Sequence, residues 1–335
     1  MAILRRRDQT WLDSVREDTI DPNRDIVDPH HHLWERDGWP YHVDELLADT
    51  GDGHSVSQTV FVECGSSYRE AGPEHLRPLG ETEYVTAAAG ETVRRQGATI
   101  AGIVAHADLT LESDLLGEVL DAHSDVAGSL FKGIRHAGAC DEDPDSLTIA
   151  GRGAEGQYSD PRFTAGVTEL GRRGLTYDTW HYHHQNLAFA ALAAAAPDTQ
   201  MVLDHFGTPL GVGRFAGRRD EVFEQWKADM TAVAQNDNVV AKLGGLAMPD
   251  NGFGFHEDER PPTSDEVVEA QAPYYLHTIE MFGPERCMFE SNFPVDRLSL
   301  SYHVFWNGAK KIVAEFSESE KDSMFSGTAR RVYSL

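Results

Sequence analysis

The sequence predicts an α/β fold, a (β/α)8 TIM barrel built as a single domain. Three observations favour it: eight short apolar runs recur along the 335 residues, helix-like segments separate them, and 40% of the residues are hydrophobic. Strands that alternate with helices form parallel sheets, and eight of them are enough to close a barrel. The hydrophobic fraction is sufficient for one large core, so the length does not require two domains.

Each predicted strand is a short apolar run that ends in polar or glycine-bearing residues. The intervening segments, such as "GETEYVTAAAGETVRRQ" and "NLAFAALAAAAP", repeat apolar residues every three or four positions, which indicates helices. An open doubly wound sheet is the alternative, but no G-x-G-x-x-G turn follows the first run. The runs are "DIVDPH" at Ile26, "QTVFVEC" at Thr59, "TIAGIVAHADL" at Ile100, "SLFKGIRH" at Leu130, "GLTYDTW" at Leu175, "QMVLDHFG" at Met201, "NVVAKLGG" at Val239 and "RCMFESNFP" at Cys287.

The predicted barrel covers residues 25–335, and residues 1–24 form an N-terminal extension. Two long polar loops, near 137–161 and 247–266, follow the fourth and seventh strands. Barrel enzymes build their sites at the carboxyl ends of the strands, so both loops are candidate lids. The alternative is that they are surface insertions.

Composition limits the classes of partner. The net charge of -26 and the pI near 4.9 would repel phosphate backbones and anionic lipids, so we expect a small-molecule substrate rather than nucleic acid or membrane. Three widely spaced cysteines and a first segment without the apolar core of a secretory signal predict a cytoplasmic protein. The sequence leaves open whether the chain forms a homo-oligomer.

Histidines at two strand ends are candidate metal ligands. His30 and His32 are two positions apart on an extended strand and share a face, whereas His31 points the other way. His205 closes the sixth strand. Imidazole nitrogens from separate strands can converge on a divalent cation such as Zn²⁺. A lone histidine is more often structural, but this combination is more specific.

Other strand ends carry candidate substrate-binding residues. Arg135 is favoured over its neighbour His136 as an anion holder, because a guanidinium grips a carboxylate through two hydrogen bonds; the alternative is a salt bridge at the rim. Lys242 could hold a second carboxylate or polarise a carbonyl, or could pair with a neighbouring acid. Glu63 is a candidate ligand or an acceptor for a sugar hydroxyl.

Two tryptophans are candidate walls for a substrate ring. Trp180 follows the fifth strand and Trp34 lies just beyond the histidine pair, although an aromatic side chain there can equally pack within a loop. The neighbouring histidines, His181, His183 and His184, are expected on the following turn, in contact with solvent or behind the site.

The order of these motifs resembles that of a known family. "DPHHHLW", "KGIRH", "LDHFGTP", "VAKLGGL" and "MFESNFPVD" resemble the second amidohydrolase family of metal-dependent hydrolases, and most closely its sugar-lactonase and dicarboxylate-lactone hydrolase branch. The resemblance runs from about Asp25 to the terminal "TARRVYSL". It implies a distorted (β/α)8 barrel and lactone hydrolysis. It also implies a divalent metal, zinc first, held by His30, His32 and His205, although some relatives work without one.

The eighth strand departs from the family pattern. An aspartate that deprotonates the attacking water is typical there, and this chain has Asn292, whose amide cannot accept that proton. Glu290 shares the strand face with Asn292, roughly 6.5 to 7 Å deeper in the barrel. Unless it is paired, its pKa should be raised, and it could act as the base directly or through a water held by Asn292. The alternative is that Glu290 pairs with a lysine or arginine.

The first functional hypothesis is therefore a lactone hydrolase in which histidines hold a metal or polarise the carbonyl directly. A non-oxidative decarboxylase of an aromatic or unsaturated acid is the alternative within the same superfamily. A ligand-binding barrel without catalysis is the third hypothesis, because the aspartate is lost.

Overall fold

The computed structural model describes residues 9–36 and 38–335 and contains an eight-stranded parallel sheet. The order of its strands is β1-β4-β5-β6-β7-β8-β9-β10, and they coincide with the eight predicted runs. The sequence did not predict the antiparallel hairpin β2–β3, which follows the first barrel strand. The strands are β1 Asp25–His31, β2 Trp34–Arg36, β3 Trp39–Tyr41, β4 Ser55–Val62, β5 Thr99–Ala105, β6 Phe131–Arg135, β7 Thr176–Thr179, β8 Met201–Leu203, β9 Val239–Leu243 and β10 Cys287–Phe289.

A helix follows each barrel strand. The helices α2 to α9 alternate with the strands, and the C-terminal α10 and α11 complete the chain, so the predicted single-domain (β/α)8 barrel is confirmed. None of the helices in the described part of the chain is long and apolar enough to cross a membrane. The helices are α1 Gln9–Leu12, α2 Val43–Thr50, α3 Leu79–Arg94, α4 Ser113–Ala127, α5 Pro161–Arg172, α6 Asn186–Ala195, α7 Arg219–Ala234, α8 Ser264–Phe282, α9 Tyr302–Ile312, α10 Glu318–Asp322 and α11 Thr328–Tyr333.

Strand alternation divides the core into two layers. On β4, Val60 and Val62 face a small inner cluster, and Phe61 faces the large layer between sheet and helices. The inner cluster also contains Tyr333 of α11, whose hydroxyl donates a hydrogen bond to Asp178 inside the barrel. The C-terminal segment therefore plugs one end of the barrel, and the other end remains available for a site.

The two predicted long loops contact one another. The Asp250 carboxylate accepts hydrogen bonds from the backbone N–H groups of Thr148 and Ile149, both at 2.7 Å. Of the predicted extension, residues 1–8 lie outside the described residues, and the remainder packs against the barrel through buried Leu12 and through Glu17, which accepts from Ser264 N at 2.7 Å.

A buried carboxylate joins the first and last barrel strands. Asp28 on β1 accepts hydrogen bonds from Ser291 N at 2.9 Å, Ser291 Oγ at 2.6 Å and the Tyr302 hydroxyl at 2.9 Å. Backbone bonds continue the junction, since His32 N donates to Phe293 O at 2.8 Å. The barrel closes at this seam, which also fixes the position of the histidines that follow Asp28.

We predict that Asp28→Asn lowers the free energy of unfolding by about 1–3 kcal/mol, because the new NH2 group would face donors that now meet an acceptor. Urea denaturation followed by circular dichroism measures the change. Asp237→Asn is the matched control, since Asp237 is exposed in the turn before β9. Equal unfolding midpoints for Asp28→Asn and the wild type would contradict this role.

Candidate active site

A cavity of about 780 Å³ opens at the carboxyl ends of the barrel strands. The predicted residue Trp34 lines it from the hairpin. The other predicted residues that line it each come from the end of a different strand: His32, Glu63, Arg135, Trp180, His205 and Asn292. Three further predicted residues, His30, Lys242 and Glu290, are fully buried below it.

The Glu290 carboxylate bridges two of the histidines. Its Oε1 accepts a hydrogen bond from His205 Nδ1 at 2.6 Å, and its Oε2 lies 2.6 Å from His30 Nδ1 in a contact that is less well aligned. Two lone-pair-bearing atoms would repel at such distances, so one atom of each contact carries a proton. With Glu290 ionised, both protons belong to the imidazoles. Both Nδ1 atoms therefore carry a proton, and in the neutral ring of His30 the lone pair is on Nε2.

His32 has the same tautomer for a different reason. Its Nδ1 lies 2.8 Å from the carbonyl oxygen of Val62, which can only accept. Its ring stacks on Trp34 with centroids 5.8 Å apart. His31 points away from the cavity, with Nε2 3.0 Å from Thr59 Oγ1. Burial holds the pKa of His30 and of His32 well below the usual value, so both rings are neutral.

Glu290 is paired, which is the condition under which no rise in its pKa is expected. Burial alone would raise the pKa, but the contacts of the carboxylate with His205 and His30 lower it to about 2. The partners are thus imidazoles, and the amine of Lys242 is 4.0 Å away. Because Glu290 is fully buried, it does not reach water in the cavity, and its place suits a positioning residue rather than the base itself.

Lys242 does not reach the cavity, which corrects its predicted place beside the substrate. Its Nζ lies 3.0 Å from Asp178 Oδ2, 3.1 Å from Asp204 Oδ1 and 3.3 Å from His30 Nδ1. Burial would lower the pKa of Lys242, but Asp204 and Asp178 raise it above its usual value, so the amine stays charged. The alternative of pairing with neighbouring acids describes it correctly.

Arg135 reaches the cavity, but protein groups take up most of its hydrogen-bonding capacity. Its Nε donates to Glu63 Oε1 at 2.9 Å, and its Nη2 donates to the Glu63 carbonyl oxygen. Its Nη1 lies 3.3 Å from both His30 Nε2 and Asp204 Oδ2. Arg135 therefore forms the salt bridge that was its alternative role, and few of its N–H groups remain for a substrate anion.

The amide of Asn292 is oriented by a carboxylate that the sequence analysis missed. Its Nδ2 donates to Asp296 Oδ1 at 2.8 Å, so the amide oxygen remains as an acceptor at the cavity. Asp296 also accepts from Ala247 N at 3.1 Å, and burial raises its pKa to about 7. Asp296 is visible in the motif "MFESNFPVD", four positions after Asn292.

Two glycines after β9 let the histidine and glutamate approach each other. A Cβ at Gly245 would lie 2.3 Å from His205 Nδ1, and a Cβ at Gly244 would lie 1.9 Å from Glu290 O. Only a residue without a side chain fits at either position. These close contacts explain the two glycines in the "KLGG" run, which the sequence alone did not explain.

Comparison with known proteins settles the family. The model of the family described as amidohydrolase matches residues 27–335. The chain belongs to the amidohydrolase family. This amidohydrolase is 31% identical to the uncharacterized protein y4mH of Sinorhizobium fredii over 92% of its own length and 98% of the relative.

Two further relatives carry more informative descriptions. L-fucono-1,5-lactonase from Burkholderia multivorans is 27% identical to this amidohydrolase, over 78% of this chain and 83% of the relative. A crystal structure of an amidohydrolase with bound zinc, also from Burkholderia multivorans, superimposes with a TM-score of 0.72 at 22% identity, covering 92% of this chain and 99% of that chain. The similarity to this crystal structure shows that the two chains share a fold.

The donor groups of the amidohydrolase site fit a divalent metal, in a set that differs from the predicted one. His30, His205 and Asp204, which the sequence analysis missed, offer ligand atoms within 4.8 Å of one another. His32 is outside this group. Asp204 Oδ1 is buried without a well-aligned hydrogen bond, and nitrogen and carboxylate donors suit zinc.

We predict that the protein dialysed against zinc retains about one equivalent, as expected of a site with three protein ligands, and that Asp204→Asn lowers its zinc affinity more than about tenfold. His32→Ala should retain the ion, since Val62 rather than the metal holds its ring. Elemental analysis gives the zinc content, and His205→Gln repeats the test where Asp204→Asn unfolds.

Equal loss of zinc from the His32 and Asp204 variants would support the His30, His32 and His205 set instead. Absence of zinc from the wild type would contradict a metal site.

Proposed function

We propose that this amidohydrolase is a hydrolase that opens a lactone ring by adding water to its carbonyl carbon. The observation that carries the proposal is the set of three imidazoles, His30, His32 and His205, whose Nδ1 atoms are held by Glu290 and by the Val62 carbonyl oxygen at the carboxyl end of the barrel. The relatives described as L-fucono-1,5-lactonase support the reaction class.

In the proposed reaction a water oxygen bonds to the lactone carbonyl carbon, and the bond from that carbon to the ring oxygen breaks. The ring oxygen takes up a proton, so the product is a hydroxy acid that releases one proton at neutral pH. A divalent metal held by His30, Asp204 and His205 would polarise the carbonyl and lower the pKa of the attacking water.

Residues of the chain itself position and deprotonate the water. His32 Nε2 is outside the metal set and is the candidate acceptor for the water proton, while Val62 O prevents its ring from rotating. The oxygen of Asn292, oriented by Asp296, is a second acceptor for a water or substrate hydroxyl. Together these atoms replace the single carboxylate that is absent at position 292.

The two joined loops are proposed to limit the access of water. Ile149 from the first loop and Met248 from the second line the cavity, and Asp250 ties the two loops together. Apolar contacts at the wall exclude bulk water and strengthen the electrostatic interactions inside.

Incubation of the protein with a panel of aldonolactones and carboxylated lactones tests the reaction, with acid release followed by a pH indicator. We expect saturable turnover that His205→Gln abolishes and that His303→Gln, a substitution away from the cavity, leaves unchanged. Lactones that stay inert with or without zinc would contradict the proposal. In that case CO₂ release from an aromatic acid would favour the decarboxylase, and a ligand recovered unchanged would favour the binding barrel.

We predict that Glu290→Gln lowers kcat about 10- to 100-fold, as loss of a group that orients metal-site histidines does. A glutamine has one acceptor oxygen, so it cannot hold both Nδ1–H groups, and one ring must change its tautomer or rotate. Steady-state kinetics measure the loss, and thermal melting should show lower stability as well. Glu221→Gln on the exposed start of α7 is the control. A well-folded Glu290→Gln protein with normal kcat would contradict the positioning role.

A further inference from the structure

The charged residues that line the cavity oppose the charge of the whole chain. The protein carries a net charge of -26, yet the charged residues that line the cavity within the described part of the chain are Arg36, Arg135, Arg152 and a single acid, Glu63. Since Arg135 and Glu63 neutralise each other at 2.9 Å, the cavity keeps the excess positive charge of Arg36 and Arg152. An anion would therefore be attracted into it.

Neither of these two arginines pairs with a carboxylate among the described residues. Arg36, at the end of β2, donates to the carbonyl oxygen of Cys64 and lies over Trp34, with its guanidinium carbon 4.6 Å from the ring centre. Arg152 lies exposed on the first long loop, where no described residue hydrogen-bonds to it. The donors of both side chains are thus largely available to a ligand.

Two exposed arginines outside the cavity are paired with carboxylates. Arg260 makes two parallel hydrogen bonds to Glu266, at 2.8 and 2.7 Å, and Arg218 makes two to Glu221, at 2.9 and 2.5 Å. Arg36 and Arg152 differ from these two arginines in lining the cavity with no carboxylate partner among the described residues. Their fork of N–H groups matches a carboxylate.

The aromatic wall supplies a second, independent indication of a ligand. Trp34 lines the cavity with a side chain only 3% exposed, and its buried Nε1–H finds no acceptor among the residues that the structure describes. A buried donor without a partner is costly, and an oxygen of a bound ligand would satisfy it. Trp180 provides an indole ring in the same cavity.

We infer that Arg36 and Arg152 form a carboxylate subsite, and that the substrate is an anionic ring compound whose carboxylate is separate from the bond to be cleaved. Its assignment to a lactone rests on the proposed function. Arg36 and Arg152 hold the carboxylate, the tryptophans contact the ring, and the carbonyl faces His32 and His205. This assignment replaces Arg135 and Lys242 as the anion holders, because protein groups occupy both.

Binding of 4-fluorobenzoate and of its neutral counterpart 4-fluorobenzamide, measured by fluorine NMR titration, tests the subsite without any reaction. We expect the acid to bind at least about tenfold more tightly than the amide, because charge-assisted bonds to a carboxylate are the strong ones. Arg36→Gln and Arg152→Gln should each weaken binding of the acid by roughly tenfold and leave that of the amide unchanged. Arg94→Gln, at the exposed end of α3, is the matched control.

Raising the salt concentration should weaken binding of the acid alone, since exposed charges are screened. Equal binding of the acid and the amide, absence of binding by both, or binding of the acid that neither substitution changes would overturn the subsite. Lactone turnover with no preference for anionic substrates would support the proposed function and contradict the subsite. Charge-dependent binding without lactone turnover would support the subsite and contradict the proposed function.

Discussion

The carboxylate of Glu290, held between the Nδ1 atoms of His30 and His205 at 2.6 Å each, is the contact on which the site depends. It places a proton on Nδ1 of each ring. The charge is tolerable in the interior because both imidazoles contact the carboxylate through Nδ1 and the Lys242 ammonium lies 4.0 Å from it. Removing the carboxylate would leave the buried Nδ1–H groups without this acceptor.

Backbone geometry makes this contact possible. The Asp28 seam sets the height of His30 and His32 where β1 meets β10. Gly244 and Gly245 let the Glu290 backbone and the His205 ring come close to the end of β9. His205 itself has a left-handed backbone, with φ of 53°, which directs its ring into the cavity. The positions of the histidines at the cavity are thus set by the backbone contacts below it.

The sequence predicted the fold well because its signals are local: apolar runs, helical periodicity and their alternation. It also identified the strand ends that meet at the site. It could not predict how far below the cavity each side chain lies, because the layer that a side chain occupies in the barrel depends on the stagger of the strands. Lys242 therefore proved to be below the cavity, and Glu290 proved to pair with imidazoles. Asp204, Asp296, Arg36 and Arg152 were missed because turns and loops follow no strand periodicity, so their side chains could be placed only in the folded structure.

The central claim is that His30, His32 and His205 each carry a proton on Nδ1. Long-range nitrogen–proton NMR of the protein labelled at histidine with ¹⁵N distinguishes the tautomers directly, and the three single histidine variants assign the signals. The structure predicts at neutral pH a protonated Nδ1 for all three rings and an unprotonated Nε2 for the neutral rings of His30 and His32. An unprotonated Nδ1 on His30 or on His205 would contradict the account, because Glu290 could then not hold both rings.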